Sequence, residues 1–170
     1  MRITLLLVTF VSLLMGFSET INTFSADFEQ RITDDQNKTL TYRGHVWSKR
    51  PNSALWHYKN PIEKMVYVRG QKVVIIEPDL EQVLMRKIDR DIDLLAILKT
   101  SKPLDNGKHE AFFDAQRFVI TETQGVIQQI DYLDSFENRV VLQFSDQELN
   151  RPIDAEKFIA KIPKDYDIIK

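Results

Sequence analysis

The sequence predicts a mainly β (α+β) fold, an antiparallel meander of roughly ten strands that curls into an open or closed barrel, with one apolar helix laid against it. Three observations predict it. Most segments alternate apolar and polar residues with a period of two, and turn residues punctuate them at short spacing. One central stretch alone carries apolar residues at spacings of three and four. At 170 residues the chain fits one domain with one core, without disulfides or a structural metal.

The first eighteen residues stand apart from the fold. Arg2 is followed by Ile3 to Met15, in which ten of thirteen residues are apolar, and Gly16 and Ser18 occupy the minus-three and minus-one positions of a cleavage site before Glu19. Residues 1–18 are therefore expected to be a secretory signal, shorter than the roughly 20 residues of a membrane span, and residues 19–170 the single mature domain. A lipoprotein is acylated on a cysteine directly after its signal; Glu19 stands there and the chain has no cysteine, so the mature form is expected to be soluble.

Within that domain Phe24, Ala26, Phe28 and Ile32 fall on one strand face, and Asp27, Glu29 and Arg31 on the other. Leu40, Tyr42, Gly44 and Val46 repeat the alternation, as do Trp56 and Tyr58, then Met65 and Tyr67. After the central stretch it resumes with Phe118 and Ile120, Ile130 and Tyr132, and Val140, Leu142 and Phe144. The turns are set by Asp34-Asp35-Gln36-Asn37, Arg50-Pro51-Asn52-Ser53, Asn60-Pro61, Arg69-Gly70-Gln71, Glu77-Pro78-Asp79, Gln124-Gly125 and Glu137-Asn138. In the central stretch Ile88, Ile92, Leu95 and Leu98, widened by Leu94 and Ile97, predict a helix capped by Asp89 or Asp91, with Asp93 and Lys99 suited to its dipole. A lone apolar helix inside a meander has one large surface to cover, the concave face of the sheet. Periodicity leaves open whether it is a lid or a permanent part of the core.

The composition excludes several functions. Net charge is −2, and removal of Arg2 with the signal makes it −3; Lys and Arg are interleaved with Asp and Glu throughout. No nucleic acid partner is expected, and anionic membrane surfaces are disfavoured for the same reason. His45, His57 and His109 show no metal-ligand spacing, and no nucleotide or hydrolase motif is present, so no catalytic residue, metal or cofactor is assigned. Asp89, Asp91 and Asp93 lack the glycine and distal glutamate of a calcium loop. A lipid hydrolase would need a nucleophile beside a base, and the sequence displays no such set.

The most distinctive segment runs from Gly44 to Tyr58. Preceded by Phe24-Ser25-Ala26-Asp27-Phe28-Glu29-Gln30, it reads Gly44-His45-Val46-Trp47-Ser48-Lys49-Arg50-Pro51, then Trp56-His57-Tyr58 with Pro61 soon after. This order resembles the LolA family, the periplasmic outer-membrane lipoprotein carriers. The likeness continues through Gly70, Pro78 and Gln82-Val83 to Ile153-Asp154-Ala155-Glu156-Lys157-Phe158, covering nearly all of residues 22 to 163.

The resemblance implies an incomplete antiparallel β-barrel with a helical lid over an apolar cavity for acyl chains. It places Phe24, Phe28 and Trp56 toward the cavity and Leu94, Leu95 and Leu98 in the lid; with Tyr58, Met65, Val140, Leu142 and Phe144 from the strand alternation these make up the expected cavity set, and the resemblance assigns Arg50 as the latch that bonds the lid backbone and takes part in release. It further implies a monomer with acylated lipoproteins as cargo, an inner-membrane ABC-type lipoprotein-releasing complex as donor, and an outer-membrane acceptor, protein or membrane. A periplasmic module that senses lipids or lipoproteins with the same half-barrel is the alternative. Departures are the missing room for the family's first helix before Phe24, Arg69 in place of an acidic residue, Ile76-Glu77-Pro78 without an aromatic, and Ala54 where larger residues are usual.

Overall fold

The computed structural model describes residues 21–89, 94–113 and 115–170. The expected signal, and with it the cleavage site, lies outside these residues. The described chain is mainly β, as expected, with twelve strands in one sheet where about ten were anticipated. In chain order they are β1 (Thr23–Thr33), β2 (Thr39–Lys49), β3 (Ser53–Asn60), β4 (Lys64–Arg69), β5 (Lys72–Glu77), β6 (Gln82–Lys87), β7 (Lys102–Pro103), β8 (Lys108–Phe113), β9 (Gln116–Thr123), β10 (Val126–Leu133), β11 (Arg139–Leu149) and β12 (Asp167–Ile169). Between β6 and β7 lies one short helix, α1 (Leu94–Lys99).

The spatial order is β12-β6-β5-β4-β3-β2-β1-β11-β10-β9-β8-β7. The two terminal strands do not pair, so the sheet is open. Its centre is the eleven-residue trio β2, β1 and β11, whose alternation was the clearest in the sequence. All neighbours are antiparallel except β12, which adds to β6 in parallel. That exception arises because residues 150–166 cross the convex face and arrive at the far edge from the same side as β6.

The predicted turns fall between strands. Two of them share one solution: the Asp34 carboxylate accepts from the N–H groups of Gln36 and Lys38, and that of Asp134 from those of Phe136 and Asn138. Asn37 and Glu137 take the left-handed conformation that closes each turn.

The core follows the alternation. Phe24, Ala26, Phe28, Val46, Ala111, Ile120, Ile127, Ile130, Leu142 and Phe144 are buried in one cluster on the concave face together with Leu95 and Leu98 of α1. A second buried group, Leu55, Ile76, Val83 and Phe158, belongs to the opposite face of β3 to β6. The short 3-10 turn Ala155–Phe158, capped by the Asp154 carboxylate, packs there against β3 and β4.

Two expectations are corrected here. The helix is shorter than the stripe Ile88 to Leu98: β6 runs on to Lys87, and the Ile88 N–H is bonded to the Gln71 carbonyl, so the first apolar position belongs to the sheet. Ile92, the proposed cap Asp91 and the dipole residue Asp93 lie outside the described residues. Met65 pairs with His57 and Ile76, whereas Trp56 pairs with Val66. A one-residue step reverses the face of every side chain, so Met65 lies on the convex side, where the Tyr67 hydroxyl donates to its sulfur at 3.8 Å.

Candidate functional site

The concave face is an apolar surface built row by row from paired strands. Phe28 sits opposite Gly44 on one side and Phe144 on the other, and Gly44 sits opposite Tyr58. Because Gly44 has no side chain, the Phe28 ring meets Trp56 and Tyr58 edge-on, with centroids at 5.2 and 5.0 Å. Phe24 meets Phe144 in the same manner at 5.5 Å. Trp56, Tyr58, Phe118 and Tyr132 are only half-buried and extend the apolar surface outward from the cluster.

Helix α1 lies against this surface, in contact with β2 and β8. Leu95 and Leu98 are 0% and 1% exposed, and the Ser101 hydroxyl donates to the Leu98 carbonyl at the C-terminal end. The described part of α1 has six residues, and the whole connection from β6 to β7 has no more than 14, too few for a stable isolated helix, so packing of these leucines holds it. The Arg50 guanidinium, half-buried in the β2–β3 turn, donates from Nη2 to the Leu95 carbonyl at 3.4 Å.

Of the residues expected to line the cavity, the structure brings Phe24, Phe28, Trp56, Tyr58, Leu95, Leu98, Leu142 and Phe144 into or against one cluster. Val140 is buried on the same face, opposite Ile32 and Tyr132, outside that cluster. Met65 is on the other face, and the side chain of Leu94 lies outside the described residues. Sequence reasoning did not single out Ala26, Val46, Ile120, Ile127 and Ile130 for the site, although they complete the surface. Trp47 is on the convex side with the Lys157 ammonium 3.9 Å above its ring.

Burial also marks the phenols. Tyr58 is pushed well above the usual tyrosine range, chiefly by desolvation and then by its neighbours Tyr132 and Tyr42. Tyr132 is raised by desolvation and by Asp134, against the lowering effect of a hydrogen bond with Gln30. Because the folded values lie above those of the unfolded chain, the neutral phenols contribute stability that is complete below about pH 10 and lost as pH rises further. In an alkaline titration followed by tyrosinate absorbance, Tyr58 and Tyr132, like Tyr67, which burial also raises, are expected to ionise above the usual tyrosine range, with resistance to urea falling as Tyr58 and Tyr132 do so. Ionisation of Tyr58 and Tyr132 near pH 10 would mean that the concave face is wet.

One arrangement went unseen in the sequence. On the convex face His45 Nε2 is 2.7 Å from Ser25 Oγ, and His45 Nδ1 is 2.6 Å from Asp27 Oδ1. The spacing matches a serine–histidine–aspartate triad. Ser25, however, is 7% exposed and lies mid-strand, paired with Trp47 of β2 and Glu148 of β11. The β1 N–H groups in this ladder bond other strands, so they do not form the free donor pair that an oxyanion needs. The three groups act as a hydrogen-bond relay that fixes the outer faces of β1 and β2. Among the described residues no set of three or more His, Asp or Glu side chains forms a metal site.

Comparison with known proteins agrees with this geometry. Residues 19–101 match the family model described as outer membrane lipoprotein carrier protein LolA. The outer-membrane lipoprotein carrier protein of Wolinella succinogenes is 34% identical over 100% of this chain and 99% of its own. That of Campylobacter jejuni is 38% identical over 95% of this chain and 94% of its own. Among solved structures, an uncharacterised conserved protein from Thermus thermophilus superposes with a TM-score of 0.52 at 11% identity, covering 87% of this chain and 90% of that one. That likeness concerns the fold alone.

Proposed function

Since the chain belongs to the LolA family of outer-membrane lipoprotein carrier proteins, we propose that it is a non-enzymatic periplasmic carrier that shields the acyl chains of lipoproteins between the inner and outer membranes. The observation that carries the reading is an apolar concave face covered by a helix too short to be stable alone. Each buried methylene contributes about 0.8 kcal/mol, so even one acyl chain can compete with two leucines for that surface. α1 is then the lid: cargo lies where Leu95 and Leu98 pack in the empty form. Export by the signal at residues 1–18 would bring the chain to its donor, an inner-membrane ABC-type releasing complex, and an outer-membrane acceptor would empty it.

Arg50 is the latch in this scheme. Its bond to the Leu95 carbonyl forms with the helix packed and would be broken if the helix lifts, so it favours the empty, closed form over the loaded one. A hydrogen bond of this kind contributes about 1 kcal/mol net. Arg50→Leu is therefore expected to leave loading intact while reducing release to acceptor membranes roughly fivefold. The measurement incubates the purified protein with lipoprotein-bearing inner-membrane vesicles and ATP, isolates the soluble one-to-one complex, and follows transfer to outer membranes. No soluble complex with an active releasing complex would reject the carrier reading, and equal loss of loading and release would reject the latch.

A further inference from the structure

Charges that alternate in the sequence separate in the fold. The strand register places Lys49, Ser53, Arg69, Lys72 and Lys87 directly opposite one another across β2 to β6. These five form one transverse row on the convex face. Arg69, Lys72 and Lys87 are exposed and form no ion pair among the described residues. Lys49 donates to the Ile153 carbonyl; Arg86, also exposed, pairs with Val73 and so belongs to the concave side, outside the row. A groove of about 720 Å³ at this end of β4 to β6 takes in Arg69, Lys72, Val74, Met85 and Lys87 of this face, and its lining holds no carboxylate. Like charges set directly opposite across strands destabilise a sheet, and in a net acidic chain nothing in the packing requires them.

The next row on the same face is apolar: Trp47, Leu55, Tyr67, Val74 and Met85 are in register. The segment after β11 covers its first members, while Tyr67, Val74 and Met85 remain half-exposed. A line of cations backed by half-exposed apolar side chains and a tyrosine has the layering of a membrane interface, where charge meets phosphate and apolar or aromatic groups lie just beneath. An acidic protein would account for the cations but not for the apolar row.

We propose that this row docks the protein on a membrane surface rich in anionic phospholipid headgroups. The expectation from interleaved charge that such surfaces are disfavoured is thereby reversed, because register rather than sequence order decides which charges are neighbours. The row adjoins the turn that carries Arg50, through the bond from the Gly70 N–H to the Asn52 carbonyl, so docking would bring the latch to the bilayer. Docking of this kind does not depend on lipoprotein carriage, and its test contains no lipoprotein.

The purified protein is sedimented with vesicles of phosphatidylglycerol mixed with phosphatidylcholine, and with phosphatidylcholine alone. Binding is expected only to the anionic vesicles and is expected to weaken steeply with salt. Each basic residue near such a surface strengthens binding severalfold, so Arg69→Gln/Lys72→Gln/Lys87→Gln should weaken it on the order of 100-fold. The same charge change at Lys38, Lys161 and Lys164, which are exposed elsewhere, should cost far less, and matching urea midpoints establish that both variants fold. Equal binding to both vesicle types, or equal losses in the two triple variants, would overturn the proposal. So would saturation by inorganic phosphate or by polyglutamate without vesicle binding, which would point to a free anion or to an acidic protein instead.

Discussion

Replacing Leu95 by Ala is expected to destabilise the empty protein by about 2–5 kcal/mol and, at the same time, to strengthen its hold on acyl chains. The first effect follows from burial: Leu95 is 0% exposed within the concave cluster, and truncation removes its transfer energy and leaves a void. The second follows from linkage. If cargo lies where α1 packs, Leu95 stabilises only the empty form, and whatever it contributed there no longer opposes binding. Every ~1.4 kcal/mol recovered is tenfold in affinity. Urea denaturation measures the first effect and displacement of a fluorescent fatty acid the second. Parallel loss of stability and affinity would make Leu95 an ordinary core residue and α1 a fixed part of the fold.

Gly44→Ala is expected to be the most damaging single-methyl change in the sheet, destabilising by about 3 kcal/mol through overpacking. A Cβ built there falls 2.1 Å from the His57 carbonyl oxygen and 2.9 Å from Phe28 Cζ. The first neighbour is backbone within the β2–β3 ladder and cannot yield without separating the strands; the second is the ring on which Trp56 and Tyr58 lean. Urea denaturation gives the magnitude, and hydrogen exchange at β2 and β3 should show protection lost there first. A cost below about 1 kcal/mol would mean that β3 tolerates displacement, and the adjacent register irregularity between Arg43 and Gly44 would then be absorbing the methyl group.

Much of this was legible from period alone. Phe24, Ala26 and Phe28, then Leu142 and Phe144, alternate cleanly because their strands are long, central and wet on one face. The site was half legible: apolar positions announce burial, but a period of two does not say which face is concave, and for Met65 the choice was wrong by one residue. In β5 Val73, Val74, Ile75 and Ile76 run together, and all but Ile76 are only half-buried, so the strand carries no alternation to mark its faces. What depends on residues distant in sequence was invisible. The Ser25–His45–Asp27 relay, the cation row and the parallel β12 all come from register between strands, which no local pattern encodes. The helix was overestimated because Ile88 happens to continue the stripe while its N–H is already committed to Gln71.

Strands β6 and β7 follow each other in the chain, yet one lies next to one edge of the sheet and the other forms the opposite edge. If α1 is the proposed lid, the chain that joins these strands is a tether between the two margins of the sheet as well as a cover. Six residues take up about 9 Å as helix and about 20 Å when extended. Unwinding α1 would release about 11 Å of slack between the two margins. A bulkier cargo could then widen the aperture without breaking any strand pair, and the length of this tether would set how far it can gape.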